Sequence, residues 1–481
     1  MVDRKRVRDM DERLRECYRK IPKVDLLMET EGARALREIW GYRPVLWAAQ
    51  RAEEEIRRRL GEGQREEAMR LLEDICGEME GLLKEEKRRK VGRVVNGTGV
   101  ALHTNLGRAP LGERVSRAVC RAAEGYSSLE MDLRTGERGD RCEAFSRKLC
   151  RLTGAEAALA VNNNAAAVLL MLSALCRGRE VPVSRGELVE IGGKFRVPMV
   201  MEESGALLVE VGTTNRTYLE DYEAALGENT GALLKVHTSN YRILGFTHQA
   251  SVRELSQLGK SRGIPLLVDL GSGAFLNFSQ KGLPGEPSVG DILGQGADLV
   301  AFSGDKLMGG PQAGILAGDG ELIQRIGRHP LMRALRIDKC TAAALEETMD
   351  IYLEGREWEE LPALSCLARG KEELFQMAQG LKEKLERKKE NWKREAVLTV
   401  TAARSTPGGG AMPLAEMDGA GLLVTLPGVA SEELSRLLRA GDPPVVGRIF
   451  GEGVLLDMRT VLPQDFQPLL KVLEGILEGR A

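Results

Sequence analysis

The sequence predicts an α/β protein built on a mainly parallel sheet, with a helical region before it and a smaller α+β region after it. Three observations carry this. Between Ala157 and Ala317, apolar runs of strand length alternate with helical segments, the mark of βαβ units. Residues 1 to about 90 hold apolar residues at helical spacing in a highly charged background. Beyond Glu357, short strands and helices continue on a smaller scale. The expected division is 1–90, 91–345 and 346–481, and 481 residues suit about three domains of ordinary size.

Composition narrows the class. The 43% hydrophobic content supports a sizeable core, and with 4% aromatics that core leans on Leu, Val, Ile and Ala. A net charge of −2 announces no polyanion partner, so any such site must come from local patches. The eight cysteines form no CxxC and the four histidines are scattered. That excludes a zinc pattern and reads as a reduced, cytoplasmic chain. The first residues (MVDRKRVRDMDERLRE) lack the apolar centre of a signal peptide, and the longest apolar run, Ala165–Cys176, is too short to cross a bilayer.

In the first region, helices are expected over Arg34–Trp40, Val45–Leu60 and Gln64–Lys90, with Gly61-Glu62-Gly63 as a turn. Basic clusters (Arg4-Lys5-Arg6, Arg57-Arg58-Arg59, Lys87-Arg88-Arg89-Lys90) are interleaved with acidic runs. Two readings stay open: solvated helix faces tied by i,i+4 pairs, or an RNA-binding surface. At Val91 the composition shifts. Val94–Leu111 is a Gly-rich, polar loop without a GxGxxG fingerprint, and Arg108 is the cation inside it.

The α/β region follows. The strand Ala157–Val161 runs into Asn162-Asn163-Asn164 and a helix over Ala165–Cys176. Free backbone N–H groups and the helix dipole make such a turn an anion site, although Asn is also a preferred N-cap. Val181–Val183, Leu207–Val211 and Ala232–Val236 read as strands, the last leading to a polar tip, His237–Tyr241, that carries Asn240. Ile264–Leu270 is a buried strand holding Asp269, a carboxylate that is costly there unless paired. Leu299–Phe302 ends at Ser303-Gly304-Asp305-Lys306, followed by Gly309-Gly310-Pro311 and Ile315–Ala317. Gly259-Lys260-Ser261 is no P-loop, because Glu254 stands where the first glycine must be, and neither HExxH nor GxSxG occurs.

Arg333 and Arg336 stand i,i+3 on a helical turn, either as a surface pair or as a joint grip on a phosphate-like anion. A helix is expected from Thr341 to Leu353, with Cys340 as a small apolar residue at its start. The last region should hold a charged helix over Ala363–Arg394. It should also hold strands at Ala396–Thr401, Leu422–Leu426, Val445–Ile449 and Val454–Asp457, and helices at Ser431–Ala440 and Gln464–Leu477. Ser405–Gly410 is a glycine loop able to reach the main domain.

A strand-end lysine, a buried aspartate on the preceding strand and an anion site at a helix N-terminus are together what pyridoxal phosphate needs. Lys306 suits a Schiff base, and Asp269 would keep the pyridine nitrogen protonated. Asn163, Asn164 and Ser303 would hold the phosphate, and Asn240 would bond the ring hydroxyl. Released from the cofactor, Lys306 is an amine placed to act as acid and base.

The chain also resembles a family, the bacterial selenocysteine synthases (L-seryl-tRNA(Sec) selenium transferases). The matching stretches run in order: Asn96–Arg108, Val161–Leu170, Ser184–Pro198, Val211–Thr217, Val268–Gly273, Ser303–Gly314 and Arg333–Lys339. The resemblance implies a fold-type-I pyridoxal phosphate enzyme with an N-terminal tRNA-binding domain at 1–90. Its reaction passes from seryl-tRNA(Sec) through an aldimine and an aminoacrylyl-tRNA to selenocysteinyl-tRNA(Sec), with selenophosphate as donor. It implies Lys306 as the cofactor anchor, Arg108, Arg333 and Arg336 as selenophosphate ligands, and Asp305 as a helper at the leaving group. It implies a ring-shaped homo-oligomer of dimers. The alternatives are a related β-eliminating lyase acting on a small amino acid or sugar acid, and a non-catalytic RNA-binding scaffold. Lys306 and Asp269 argue against the scaffold.

Overall fold

A computed structural model of the chain describes residues 14–88, 91–192 and 195–480. The chain divides into two compact units, Met1–Arg93 and Val94–Ala481.

The first unit is helical. Its main elements are α1 (Glu31–Trp40), α2 (Tyr42–Gly61), α3 (Arg65–Glu73) and α4 (Ile75–Arg88). Leu36, Ala49, Ala52, Ile56, Leu60 and Met79 close its core. The single helix expected over 64–90 is two, because Asp74 leaves helical geometry and its Oδ1 accepts from Gly77 N at 3.1 Å, capping α4. The basic run at 57–59 is neutralised locally. Arg57 pairs with Glu53, Arg58 with Glu55 and Glu62, and Arg59 with Glu55 and Glu67. The hydrogen bonds from Arg58 and Arg59 hold the Glu55 carboxyl down at about 2. For this cluster the solvated, ion-paired face is what forms. Arg4-Lys5-Arg6 and Arg89-Lys90 lie outside the described residues.

The second unit carries two five-stranded sheets. Its main strands are β1 (Val95–Gly97), β2 (Ala157–Val161), β3 (Glu180–Ser184), β4 (Leu207–Val211), β5 (Leu233–Val236), β6 (Leu266–Gly271), β7 (Leu299–Ser303), β8 (Gly314–Gly318), β9 (Val397–Ser405), β10 (Met417–Thr425), β11 (Val445–Phe450) and β12 (Gly453–Asp457). The central sheet has the order β2-β8-β7-β6-β5. β5, β6 and β7 run parallel, while β8 turns back antiparallel to both β7 and β2. β3 and β4 form a separate parallel pair. β6, β7 and β8 are buried along their whole length, as unbroken apolar runs in a covered sheet must be. Leu267, Leu299, Ala301 and Leu316 pack toward the helix α5 (Asn164–Leu175). Leu266, Val268, Val300 and Phe302 face the opposite layer.

The second sheet has the order β1-β11-β12-β10-β9. It recruits Val95–Gly97 from the segment expected in the large layer, pairing Val95 with Val445 in parallel. The expected helix over 363–394 is interrupted, giving Pro362–Ala368 and Lys371–Glu386. Arg369 is extended at the break, and its Nη1 donates to the carbonyls of Met458, Arg459 and Val461 at 2.8–3.2 Å. Those three bonds satisfy a partly buried guanidinium that a continuous helix would leave misplaced.

Candidate active site

The sheet brings its functional side chains to one edge, where β2, β5, β6 and β7 all end. Lys306 lies in the connection from β7 to the antiparallel β8. That connection is closed by its own backbone: Gly304 N donates to Ala313 O, Gly310 N to Gly304 O, and Gly309 N to Lys306 O, each at 2.9 Å. Leu307 N reaches across to Ser272 O at 3.0 Å, fixing the lysine against the end of β6. Lys306 is 4% exposed. Burial pushes its ammonium below the usual lysine range and the Arg108 charge adds to this, while Asp269, Asp305 and Glu286 pull the other way. A neutral amine is thereby easier to reach.

Asp269 on β6 is 2% exposed. Asn164 Nδ2 donates to its Oδ1 at 2.8 Å. Burial raises its carboxyl above the ordinary range, against the Asn164 bond and the Lys306 charge. Among the described residues no cation comes within ion-pair distance of it, and the Lys306 charge acts on it from farther off.

Asn163 is the N-cap of α5, its Oδ1 accepting from Ala166 N at 2.9 Å. The helix therefore opens on the N–H groups of Asn164 and Ala165, and both residues line the cavity. The turn passes so close to β8 that a Cβ at Gly314 would sit 2.0 Å from Asn163 O, so only glycine fits there. Asn164 thus faces Asp269 with its side chain and the cavity with its backbone.

A cavity of about 420 Å³ unites Arg108, Asn163, Asn164, Ser303, Asp305 and Lys306, with Thr104 and Gln312 on its wall. Arg108 holds a left-handed backbone (φ 59°) and its Nη1 donates to Asp305 Oδ2 at 2.8 Å. The glycine loop of the second sheet does reach the lysine. A Cβ at Gly410 would lie 3.8 Å from Lys306 Nζ and 3.5 Å from the Asn240 Cβ. Asn240 is thus beside the site, but its Nδ2 donates to Glu190 O at 2.8 Å and its buried Oδ1 has no partner.

Arg333 and Arg336 are not among the residues lining that cavity. Nor do they share a helical face. The helix α6 (Leu331–Leu335) ends before Arg336, which is extended (ψ 146°) and bridges Val161 at the end of β2.

Two groups of residues went unread in the sequence. The first is Glu130 with Arg138 and Arg141. Arg141 Nε and Arg138 Nη2 each donate to the Glu130 carboxylate at 2.9 Å, and Arg336 Nη1 stands 3.7 Å from it. Their signal was the dense charge of Leu129–Arg141 around Gly136 and Gly139. The second is His237 with Glu286. The His237 backbone N–H donates to Asp269 O at 2.8 Å, and its Nδ1 lies 3.6 Å from Glu286 Oε1. Burial pushes the imidazole down to about 4 and pushes the Glu286 carboxyl up. Both groups are held toward their neutral forms.

The residues fit pyridoxal phosphate. A buried amine with a lowered pKa suits an aldehyde, a buried carboxyl with no ion pair among the described residues suits a pyridine nitrogen, and an open helix N-terminus suits a phosphate.

The family model of L-seryl-tRNA selenium transferase (SelA) matches residues 94–462. An L-seryl-tRNA(Sec) selenium transferase of Geotalea daltonii is 46% identical over 461 residues, covering 95% of this chain and 99% of that relative. One of Carboxydothermus hydrogenoformans is 42% identical over 466 residues, covering 97% and 99%. One of Nitratidesulfovibrio vulgaris is 50% identical over 386 residues, covering 80% and 82%. Among solved structures, a D-glucosaminate-6-phosphate ammonia-lyase covers 81% of this chain and 96% of its own, with a TM-score of 0.55 at 20% identity. That likeness concerns the fold. With its buried Lys306 and Asp269 on this sheet edge, the chain belongs to the L-seryl-tRNA selenium transferase family, pyridoxal phosphate enzymes of fold type I.

Proposed function

We propose that the chain converts L-seryl-tRNA(Sec) to L-selenocysteinyl-tRNA(Sec), with selenophosphate as the selenium donor. The observation that supports this reading is a buried Lys306–Asp269 floor with Arg108 in the same cavity, while the backbone of Arg336 bridges the end of β2. An anion site apart from the helix N-terminus is what a second, oxyanionic substrate requires.

Lys306 would hold the cofactor's carbonyl carbon, Asp269 its pyridine nitrogen, and the N-terminus of α5, with Ser303, its phosphate. Asn240 would serve the ring hydroxyl by turning its amide away from Glu190 O. When bound, the cofactor withdraws electrons from the substrate α-carbon. The chain supplies the rest. Lys306, once free and kept toward its neutral form by burial, takes the seryl α-proton at Nζ. Asn164 holds the Asp269 carboxyl in place through its amide. Asp305 orients Arg108 through their 2.8 Å ion pair and stands beside the lysine, where it assists departure of the seryl hydroxyl. Arg108, Arg333 and Arg336 bind the tetrahedral oxyanion, which a guanidinium fork meets with two parallel hydrogen bonds. Glycines at the Gly410 loop leave room over the lysine and, once substrate is bound, help exclude water.

The helical first unit would bind the tRNA, by a surface other than the locally neutralised Arg57–Arg59 run. The chain would work in the cytoplasm as a homo-oligomer, a ring of dimers by family resemblance. No described helix is long and apolar enough to cross a membrane. The lyase alternative is not favoured, since the relatives named above bear the transferase name across most of the chain. The test is direct. Purified protein given seryl-tRNA(Sec) and selenophosphate should form selenocysteinyl-tRNA(Sec). Turnover of a small free amino acid with no product on tRNA would overturn the reading.

A further inference from the structure

Three arginines, Arg138, Arg141 and Arg333, stand close enough to act on Arg336, and the carboxylate of Glu130 pairs with Arg138, Arg141 and Arg336. Glu130 is engaged unevenly. Arg141 holds it through Nε and Nη2, and Arg138 through Nη2. Arg336 stands off at 3.7 Å, an ion pair without a hydrogen bond. Arg333 has no carboxylate partner among the described residues. Burial and the charges of Arg141 and Arg333 lower the pKa of Arg336, and Glu130 opposes this. Among the described residues the cluster therefore has a surplus of positive charge, with Glu130 as its resident anion.

Arg336 does not depend on Glu130 for its place. Asn162 N donates to Leu335 O at 2.9 Å, and the backbone of Arg336 bridges Val161. On the other side, Arg141 Nη1 donates to Ile337 O at 2.5 Å. The backbone is thus held from both sides while the guanidinium end remains loosely paired.

We propose that Glu130 is the resident counter-anion of this arginine cluster, and that a bound tetrahedral oxyanion takes its place on the Arg336 guanidinium. Glu130 keeps the repelling arginines side by side in the empty site. It also tempers their affinity, so that a phosphate left after transfer can depart. No bond to Glu130 is made or broken covalently; it is a positioning residue. The proposal rests on the reading of Arg336 as an oxyanion ligand.

The test measures binding of inorganic phosphate by calorimetry to the full-length, cofactor-loaded protein at fixed low ionic strength. Glu130→Gln keeps the shape and an acceptor for Arg141 but removes the charge. It should bind phosphate about five- to tenfold more tightly, the effect of one unit charge a few ångströms from the anion in a partly screened site. Glu130→Asp, whose carboxylate is drawn back from Arg336, should fall between wild type and Glu130→Gln. It carries the test if the latter unfolds at a lower temperature than wild type. Damage to the fold would weaken binding, whereas loss of a competing charge tightens it. In an Arg336→Ala background the gain from Glu130→Gln should shrink to twofold or less. Unchanged or weaker phosphate binding by both Glu130 variants would overturn the proposal. Arg336→Ala binding phosphate as wild type does would instead overturn the reading of Arg336 beneath it.

Discussion

The floor of the cavity and the arginine cluster that rims the end of β2 treat positive charge in opposite ways. On the floor, one cation, Lys306, is 4% exposed and feels three carboxyl groups, Asp269, Asp305 and Glu286. Burial still wins, and its proton is held less tightly than in water. On the rim the proportions reverse. The Arg336 side chain is 33% exposed, and one carboxylate serves Arg138, Arg141 and Arg336. The two regions suit different tasks. A dry floor adjusts protonation, so that an amine can react. A wetter rim keeps its charges fixed and in surplus, which on the proposed function lets an anion come and go.

The largest effect should come from the floor. Lys306→Ala should abolish turnover and the visible absorbance of the lysine-bound cofactor, while circular dichroism and cooperative unfolding stay those of the wild type. Retained absorbance would show that another group anchors the cofactor. Asp269→Asn is next. It keeps the shape and the contact to Asn164 but removes the charge that faces the lysine. Losing one preorganised electrostatic group in a water-poor site lowers kcat by about 10²- to 10³-fold. Steady-state turnover would reveal it, and a loss under tenfold would mean the floor is not tuned by that carboxyl.

The rim should break differently. Arg333→Ala or Arg336→Ala removes charge-assisted hydrogen bonds from an anion ligand, a loss of about 10- to 100-fold in selenium transfer. Loss of the seryl hydroxyl, followed on labelled seryl-tRNA without selenophosphate, should continue at the wild-type rate. Equal decline of both half-reactions would merge rim and floor into one functional unit.

The two regions were also unequally legible in the sequence. Strands β6, β7 and β8 are continuous apolar runs ended by Asp269-Leu270-Gly271, Ser303-Gly304 and Gly318, so the floor could be read from local pattern. The rim could not. Glu130 lies more than two hundred residues before Arg336, and no periodicity relates them. Arg333 and Arg336 look like a helical pair by spacing, yet the helix stops at Leu335 because the next residue bridges β2. Asn164 shows the same limit. Its place after a strand marks a phosphate turn, but nothing local shows its amide reaching Asp269, 105 residues on. Likewise, Val95–Gly97 joins the second sheet through a partner 350 residues away.

The smallest effect concerns pH, and it separates the regions once more. His237 leans on the floor through its backbone bond to Asp269, with Glu286, Arg242, Lys235 and Lys306 as its charged neighbours. Its imidazole is pushed from 6.5 down to about 4, chiefly by burial. Between those values the unfolded chain binds a proton that the folded chain refuses. Stability from this group is therefore complete above pH 6.5 and is lost as pH falls toward 4, by at most about 1.4 kcal/mol for each unit crossed. Asp269 and Glu286, whose carboxyls are pushed up, act with the opposite sign, so the total profile does not isolate the histidine. A difference does. Chemical unfolding of wild type and His237→Asn across this range should show the wild type losing more stability than the variant as pH drops. Arg336→Ala, on the rim, should follow the wild-type profile, since the hydrogen bond from Arg141, more than the Arg336 charge, holds the Glu130 carboxyl below the usual range. If the two profiles of wild type and His237→Asn run parallel, the imidazole is accessible to protons and the floor is wetter than its burial implies.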